Sequence, residues 1–273
     1  MLTKRLIACF DIINGRVTKA RNFQDNIDVA PAEELAETMY EEQIDELIFY
    51  DITASAQKRR IDIETLKKVA KRVFIPFTAG GGIKDLSDMY EALKAGAEKI
   101  SVDSMAVRNP QIIYDGAKAF GSQCIVLSAQ LKKSGKMPSG YEVYIDGAKL
   151  ATGMDAIEWI KRGQELGAGE ICLNSIDNDG TMSGYDLELM KLAENAVSVP
   201  LIASGGAGKP EHLKELFVNT QAQAAIISSM LYSPRAEKNY SVCELKEYLL
   251  KNNIAVRPPI DEKLTKYLKG ITK

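Results

Sequence analysis

The two halves of the sequence repeat each other, and this duplication limits the possible folds more than any other feature. FIPFTAGGG at 74–82 aligns with SVPLIASGG at 198–206, a shift of 124 positions. DELIFYD at 45–51 corresponds to GEICLNS at 169–175 at the same shift. Such a repeat predicts a fold made of two similar halves related by an approximate twofold axis.

Short apolar and β-branched runs alternate with amphipathic segments along the chain. In DLSDMYEALKAGA, Leu86, Met89 and Leu93 recur at helical spacing, and Gly96 marks a helix end. Strands that alternate with helices, four in each half, predict a parallel α/β fold, and specifically a (β/α)8 TIM barrel with a twofold internal half-barrel repeat. The eight predicted strands lie near residues 5–10, 46–50, 73–77, 98–101, 124–129, 170–174, 199–202 and 224–227.

The length of 273 residues suits one barrel with a short addition. We expect a single barrel over residues 1–257, with half-barrels at about 1–120 and 121–257, and a C-terminal extension over 258–273. An apolar stripe in the extension predicts a short amphipathic helix that contains Leu264, Tyr267 and Leu268.

Composition excludes several classes of function. A net charge of −2 gives no reason to expect nucleic acid or an anionic membrane as a partner. No run approaches the roughly 18 apolar residues of a membrane span, and the apolar run near the N-terminus is too short for a signal peptide. The four cysteines form no CxxC pair, which fits buried reduced thiols, so we expect a cytoplasmic protein.

The single histidine, His212, lies in GKPEHLKEL, which predicts the first turn of a helix with Pro210 near its start. We therefore expect a structural or solvated role for His212, which removes the triads and dyads that depend on histidine. No group of potential ligands has the spacing of a metal site, so we expect neither a metal nor a cofactor.

A glycine-rich turn follows a strand and precedes a helix in each half, TAGGGIKD at 78–85 and ASGGAGKP at 203–210. Glycines let backbone N–H groups approach an anion, and a helix N-terminus favours negative charge. Ser104 and Ser229 follow the next strand of each half, and their hydroxyls would complete each site. Tight strand–helix packing explains one such turn equally well. Two at related positions predict a substrate with a phosphate at each end, lying across the barrel mouth.

Aspartates mark the carboxyl ends of three predicted strands, namely Asp11, Asp51 and Asp179. A carboxylate there can transfer protons if its pKa is adjusted by its surroundings. The alternative for any one of them is a helix cap or a turn residue. Asp11 is the best placed of the three for chemistry.

These stretches resemble the HisF family, the cyclase subunits of imidazole glycerol phosphate synthase. The resemblance runs from Lys4 to about Arg257. It is carried by DELIFYDITAS, GGGI, AVRNP, FGSQCIV, GAGEICLNSID, DGT, SGYD, PLIASGGAG and ELKEYL. The combination is specific, because the sister isomerase family HisA shares the bis-phosphate barrel but not this full set.

The resemblance implies a lyase of histidine biosynthesis. Such an enzyme adds ammonia to N'-phosphoribulosyl-formimino-AICAR phosphate, closes an imidazole ring, and releases imidazole glycerol phosphate and AICAR. The resemblance also implies a glutaminase partner of the HisH type on the N-terminal face of the barrel. Ammonia from that partner would travel through the barrel, past a gate of charged residues.

The resemblance assigns residues to these roles. The ammonia gate corresponds to Arg5, Glu46, Lys99 and Glu170. The phosphate positions correspond to Gly82, Asp103 and Ser104 on one side, and to Gly180, Gly206 and Ser229 on the other. Lys19, in the loop after the first strand, joins Asp51, Asp179 and Thr181 in the expected substrate-binding set. Asp11 matches the first of the family's two essential aspartates.

Departures from the family pattern concentrate at the site. Gln130 stands where the second essential aspartate belongs, and an amide cannot exchange a proton near neutral pH. Asp103 replaces a usual asparagine, and its carboxylate would repel a phosphate unless it is protonated or paired. Ala20 replaces a usual glycine beside Lys19, and the segment 233–241 is enlarged.

These departures leave three hypotheses open. The chain is a cyclase subunit with reduced activity because of Gln130, or a paralogue that channels ammonia to a different amidotransfer reaction, or a non-catalytic barrel that binds a bis-phosphate. The gate and the phosphate positions favour the first hypothesis, and Gln130 and Asp103 favour the second.

Overall fold

The computed structural model describes residues 2–21, 24–54, 57 and 59–260. Eight parallel strands close into a barrel, because the strand Glu170–Ser175 pairs with the strand Ile125–Lys133. In order around the barrel they are β1 (Arg5–Ile13), β4 (Glu46–Asp51), β5 (Phe77–Gly80), β6 (Lys99–Val102), β7 (Ile125–Lys133), β10 (Glu170–Ser175), β11 (Leu201–Ser204) and β12 (Ala224–Ile226). The predicted (β/α)8 barrel is confirmed.

Helices surround the barrel and connect its strands. They are α1 (Ala32–Glu41), α2 (Ile63–Ala70), α3 (Leu86–Lys94), α4 (Ser104–Arg108), α5 (Gln111–Phe120), α6 (Ala156–Glu165), α7 (Leu187–Glu194), α8 (Pro210–Asn219), α9 (Ser228–Tyr232) and α10 (Val242–Lys251). None of the helices in the described part of the chain has both the length and the apolar character needed to cross a membrane.

The internal repeat is visible in the elements themselves. Strands β4 and β10 begin 124 residues apart, as do β5 and β11. Helices α2 and α7 have the same length and the same offset, and so do α4 and α9. Caps repeat as well, because Asp62 accepts a hydrogen bond from the first turn of α2 and Asp186 does so in α7. The twofold half-barrel repeat predicted from the sequence is therefore confirmed.

Two antiparallel hairpins were not predicted, and they occupy related places. Strands β2 (Arg16–Arg21) and β3 (Gln24–Pro31) extend from β1, and β8 (Tyr141–Ile145) and β9 (Leu150–Asp155) extend from β7. Each hairpin rises from the carboxyl end of the first strand of its half. The hairpin strands are therefore placed beside the barrel mouth.

Side chains alternate along each strand between two apolar layers. Ile7, Ile48 and Val126 belong to a small cluster inside the barrel. Their sequence neighbours, such as Leu6 and Leu47, belong to the larger core between strands and helices. This period of two decides which polar residues face the barrel axis.

The third predicted strand was misplaced by about four residues. Residues 73–76 precede the strand, and pairing with β4 begins at Phe77 opposite Leu47. Phe74 is 80% exposed, and Pro76 has no N–H to donate to a ladder. Apolar character alone therefore predicts the wrong first residue for this strand.

His212 has the structural role expected of it. Helix α8 begins at Pro210, and the His212 ring is buried on its first turn. The Gly208 N–H donates to His212 Nδ1 at 3.2 Å. Burial lowers the pKa of this ring, so its neutral form is favoured. The predicted helix around Leu264 lies outside the described residues.

Candidate active site

The side chains of the candidate site stand at the carboxyl ends of the barrel strands. Asp11 follows Ile7 and Cys9 on the inward face of β1. Gln130 follows Val126 and Ser128 on the inward face of β7. Asp103 comes directly after β6. The pleat of three separate strands thus brings these residues to one end of the barrel, where enzymes of this architecture carry their chemistry.

Asp11 forms an ion pair with Lys19, which lies on the hairpin that extends from β1. The Lys19 Nζ is 3.6 Å from Asp11 Oδ2. Burial disfavours the charged ammonium, but Asp11, Tyr232 and Asp179 outweigh this effect and raise the pKa of Lys19. Lys19 is therefore a fixed positive charge beside the Asp11 carboxylate, which suits binding of an anionic substrate.

Gln130 and Asp103, two departures from the family pattern, are in direct contact. The Gln130 Nε2 donates a hydrogen bond to Asp103 Oδ2. On its other side, Gln130 Oε1 accepts from the Ala148 N–H at 2.5 Å. Among the described residues, no hydrogen bond joins Gln130 to Asp11. The structure pairs Gln130 with Asp103.

The Asp103 carboxyl group lies in a place that disfavours its charge. Burial raises its pKa to about 7, and the hydrogen bond from Gln130 opposes this rise without cancelling it. Asp146 acts in the same direction as burial, and Arg108 acts against it. Near neutral pH, Asp103 therefore has both a protonated and an ionised form available, as an acid–base catalyst requires.

A closed ring of alternating charge occupies the amino end of the barrel. Arg5 contacts Glu46 at 2.6 Å and Glu170 at 2.8 Å. Lys99 contacts Glu46 at 2.8 Å and Glu170 at 2.9 Å. Each of the four is the first residue of its barrel strand, so the structure brings together the whole predicted gate.

A polar layer that was not predicted lies between this ring and the mouth. The Tyr50 hydroxyl lies 3.2 Å from Ser101 Oγ and 3.3 Å from Ser128 Oγ. The Asn174 side chain donates to Ser128 Oγ at 2.8 Å. Burial raises the pKa of Tyr50 well above its usual value, so the hydroxyl stays protonated. The sequence does contain a signal for this layer, because Glu46, Ile48 and Tyr50 occupy every second position of β4 and therefore lie on the same face of the strand.

The first glycine turn packs closely against the loop after β4. A Cβ on Gly82 would lie 2.6 Å from the Ala54 Cβ, and the residue has a φ of +74°. Ser104 begins α4, and its hydroxyl accepts from the Asp146 N–H at 2.9 Å. Close packing therefore accounts for the glycine at 82, and the predicted phosphate site at this turn remains a prediction.

The second glycine turn is tied to the loop after β10. A Cβ on Gly206 would meet the Gly184 carbonyl oxygen at 1.9 Å, and φ is +100°. The Gly184 N–H donates to the Gly206 carbonyl at 2.8 Å, and Asn178 Nδ2 donates to the Gly184 carbonyl at 2.8 Å. The loop that contains Asp179, Gly180 and Thr181 is thus held against this turn, and Ser229 lies on the following helix, α9.

Asp51 binds the loop that follows it. Its carboxylate forms a bidentate ion pair with Arg59, with Arg59 Nη2 at 2.6 Å from Oδ1. It also accepts from the N–H groups of Ala54 at 3.1 Å and Asp62 at 3.2 Å. These bonds fix the loop after β4, and the substrate-binding role expected for Asp51 remains a prediction. Across the described stretches of the chain, no three His, Cys, Asp or Glu side chains gather as a metal site.

Comparison with known proteins gives an independent view. A family model described as "Histidine biosynthesis protein" matches residues 5–237. The imidazole glycerol phosphate synthase subunit HisF of Desulfatibacillum aliphaticivorans is 49% identical over 260 residues, which cover 94% of this chain and 98% of that protein. The HisF subunits of Desulforapulum autotrophicum and Hydrogenobaculum sp. are 50% and 48% identical, each over 94% of this chain, and are covered over 99% and 100% of their lengths.

The similarity extends over almost the whole of this chain and of its relatives, and the fold is the barrel that the sequence predicts. The chain belongs to the HisF family of imidazole glycerol phosphate synthase subunits, among the histidine biosynthesis proteins.

Proposed function

We propose that the protein is the cyclase subunit of an imidazole glycerol phosphate synthase and acts in histidine biosynthesis. It would convert N'-phosphoribulosyl-formimino-AICAR phosphate and ammonia to imidazole glycerol phosphate and AICAR. Relatives named as HisF subunits, about half identical over nearly their full length, support this proposal.

The observation that carries the proposal is the ring of Arg5, Glu46, Lys99 and Glu170. Four charged side chains on four separate strands form four contacts of 2.6–2.9 Å around the barrel axis. Charged groups inside a barrel cost free energy of desolvation, and apolar side chains would fill the same space more favourably. A role in passing ammonia from the amino end explains why charges are placed there.

The remaining site residues have consistent places. Asp11 would act as one acid–base group, with Lys19 holding its charge and attracting a phosphate. The two glycine turns, with Ser104 and Ser229, would bind the two ends of the substrate. Because Gln130 cannot transfer a proton, the reaction would be slower by about 10²–10⁴ unless another group takes that role.

A glutaminase partner would bind the N-terminal face. Phe74 precedes β5 at that end of the barrel and is 80% exposed, and its ring lies 6.1 Å from the Tyr40 ring. An exposed aromatic ring suits an interface anchor. Phe74→Asp should abolish glutamine-dependent turnover in the presence of a HisH-type subunit and leave ammonia-dependent turnover unchanged. A cytoplasmic location is part of the same proposal.

The second candidate is a paralogue that delivers ammonia to a different amidotransfer reaction, and Gln130 favours it. Both candidates keep the charged ring, so the test is turnover of the bis-phosphate substrate by the purified protein with ammonium salts. Formation of both products at an appreciable rate supports the cyclase. Absence of turnover, whether or not the substrate binds, contradicts the cyclase proposal and favours delivery of ammonia to a different amidotransfer reaction.

A further inference from the structure

We propose that Asp103 is the second acid–base residue of the reaction, and that Gln130 is the residue that positions it. This inference rests on the proposed cyclase function. It assigns the proton transfer to a carboxyl group directly after β6, the strand next to that of Gln130. Gln130 then has a part in the reaction without being able to ionise.

The hydrogen bonds fix which end of the Gln130 amide faces Asp103. A backbone N–H can only donate, so the Gln130 atom that contacts the Ala148 N–H must be the carbonyl oxygen. The amide NH₂ group is then forced toward Asp103. In the opposite orientation of the amide, the Gln130 NH₂ group would face the Ala148 N–H, and two hydrogen-bond donors would oppose each other.

The same geometry places the carboxyl group where residue 130 acts. Asp103 Oδ2 accepts directly from the tip of the Gln130 side chain. The acidic group is thus displaced from that tip by only one hydrogen bond. A substrate that can reach the end of the residue 130 side chain can reach Asp103 with a small shift.

The surroundings of Asp103 suit a proton that moves. Asp103 is partly buried, and the charged groups that act on it are Arg108 on α4 and Asp146 on the β8–β9 hairpin. Arg108 pairs with Asp146 at 2.5 Å, so its positive charge is partly neutralised and does not cancel the effect of burial on Asp103. Cys172, inside the barrel, is a third titratable group nearby, and burial keeps its thiol protonated. A carboxyl with a pKa of about 7 fits this arrangement.

The proton balance of the reaction needs such a group. When the bond between the formimino carbon and the departing AICAR nitrogen breaks, its electron pair stays on that nitrogen and takes the Asp103 proton. The ammonia nitrogen replaces the ribulose ketone oxygen, which leaves as water with two of the ammonia hydrogens. The same nitrogen gives up a further hydrogen when it bonds to the formimino carbon, and that proton returns to the Asp103 carboxylate. Asp103 is unchanged over a turnover. A purely structural role, in which the pair only holds the hairpin to β7, would require no such exchange.

Three variants test the assignment in the ammonia-dependent reaction. Asp103→Asn keeps the shape and the hydrogen bond with Gln130 but removes the proton, and should lower kcat by about 10²–10⁴ with KM for the bis-phosphate changed less than threefold. Gln130→Asp alone sets two carboxyl groups against each other and should also lower activity. The double variant, with Asp103→Asn and Gln130→Asp together, exchanges amide and acid and should recover at least tenfold over Asp103→Asn.

A pH profile separates positioning from structure. Gln130→Ala removes a donor that stabilises the ionised Asp103, so the alkaline limb of kcat/KM should move to higher pH. A purely structural Gln130 would lower the rate without moving the limb.

The outcomes are distinguishable. If the natural protein turns over and Asp103→Asn retains more than a third of its kcat, the assignment of Asp103 is wrong and the cyclase function stands. If the natural protein is inactive but the double variant is active, Asp103 does not serve as the second acid–base residue, and the natural protein is not a cyclase. If none is active, the proposed function fails and this inference fails with it.

Discussion

Replacing Asp103 with asparagine should make the protein more stable at alkaline pH. The folded protein holds the Asp103 pKa at about 7, against an ordinary value of 3.8. This difference corresponds to about 4 kcal/mol of free energy. Because Asp103 retains partial exposure to water, we discount the expected effect to roughly 2–3 kcal/mol.

The sign follows from proton binding. Between pH 4 and 7 the folded protein keeps the Asp103 proton while the unfolded chain has lost it. The contribution of Asp103 to stability is therefore fully present below the unfolded pKa and is lost as the pH rises through the folded pKa. Asparagine is neutral throughout, so the advantage of Asp103→Asn over the natural protein should be small at pH 5, grow as the pH rises toward 7, and reach roughly 2–3 kcal/mol at pH 8.

The measurement is urea unfolding at pH 5.0, 6.5 and 8.0. Trp159 is the single tryptophan and is buried, so its fluorescence reports the transition. Asp115→Asn is the matched control, because Asp115 lies in an exposed contact with Gln111 on α5. Equal pH dependence of the natural protein and Asp103→Asn would refute the reasoning. Greater stability together with lower activity would also show that the activity loss is not a folding defect.

Three further predictions concern buried polar groups. Lys99→Met leaves the buried Glu46 with Arg5 and the Thr78 hydroxyl, and should cost about 3 kcal/mol of unfolding free energy in urea unfolding. Adding Glu46→Gln should recover part of this loss, and full additivity of the two changes would contradict the coupling of charges in the ring. Tyr50→Phe removes a hydroxyl that bridges two serines and should lower the free energy of unfolding by about 1–2 kcal/mol. An unchanged urea midpoint would mean that these hydrogen bonds do not stabilise the barrel. Lys246→Ala should cost about 3–5 kcal/mol, because Lys246 is fully buried and donates to Gln43 and Asp45; exposed Lys251→Ala is the control and should lie within about 0.5 kcal/mol of the natural protein.

Much of the fold could be read from the sequence because it depends on local patterns that occur twice. The shift of 124 residues between DELIFYD and GEICLNS reappears in the strands β4 and β10. The four residues of the charged ring were identified through the resemblance to the HisF family, and the structure places each at the start of a barrel strand. The start of the third strand was predicted wrongly, since Val73 and Phe74 resemble strand residues, whereas Phe74 is exposed and pairing begins at Phe77.

The sequence by itself determined the barrel, its duplication, the glycine turns and the presence of an amide where a carboxylate was expected. Only the tertiary structure decided that this amide contacts Asp103, which lies 27 residues away in the chain. The physical reason is that strand register sets which inward side chains meet, and that a hairpin places the Ala148 N–H against Gln130. A backbone donor on one side of the amide forces its NH₂ group toward the carboxyl on the other, and no pattern in the sequence encodes that contact.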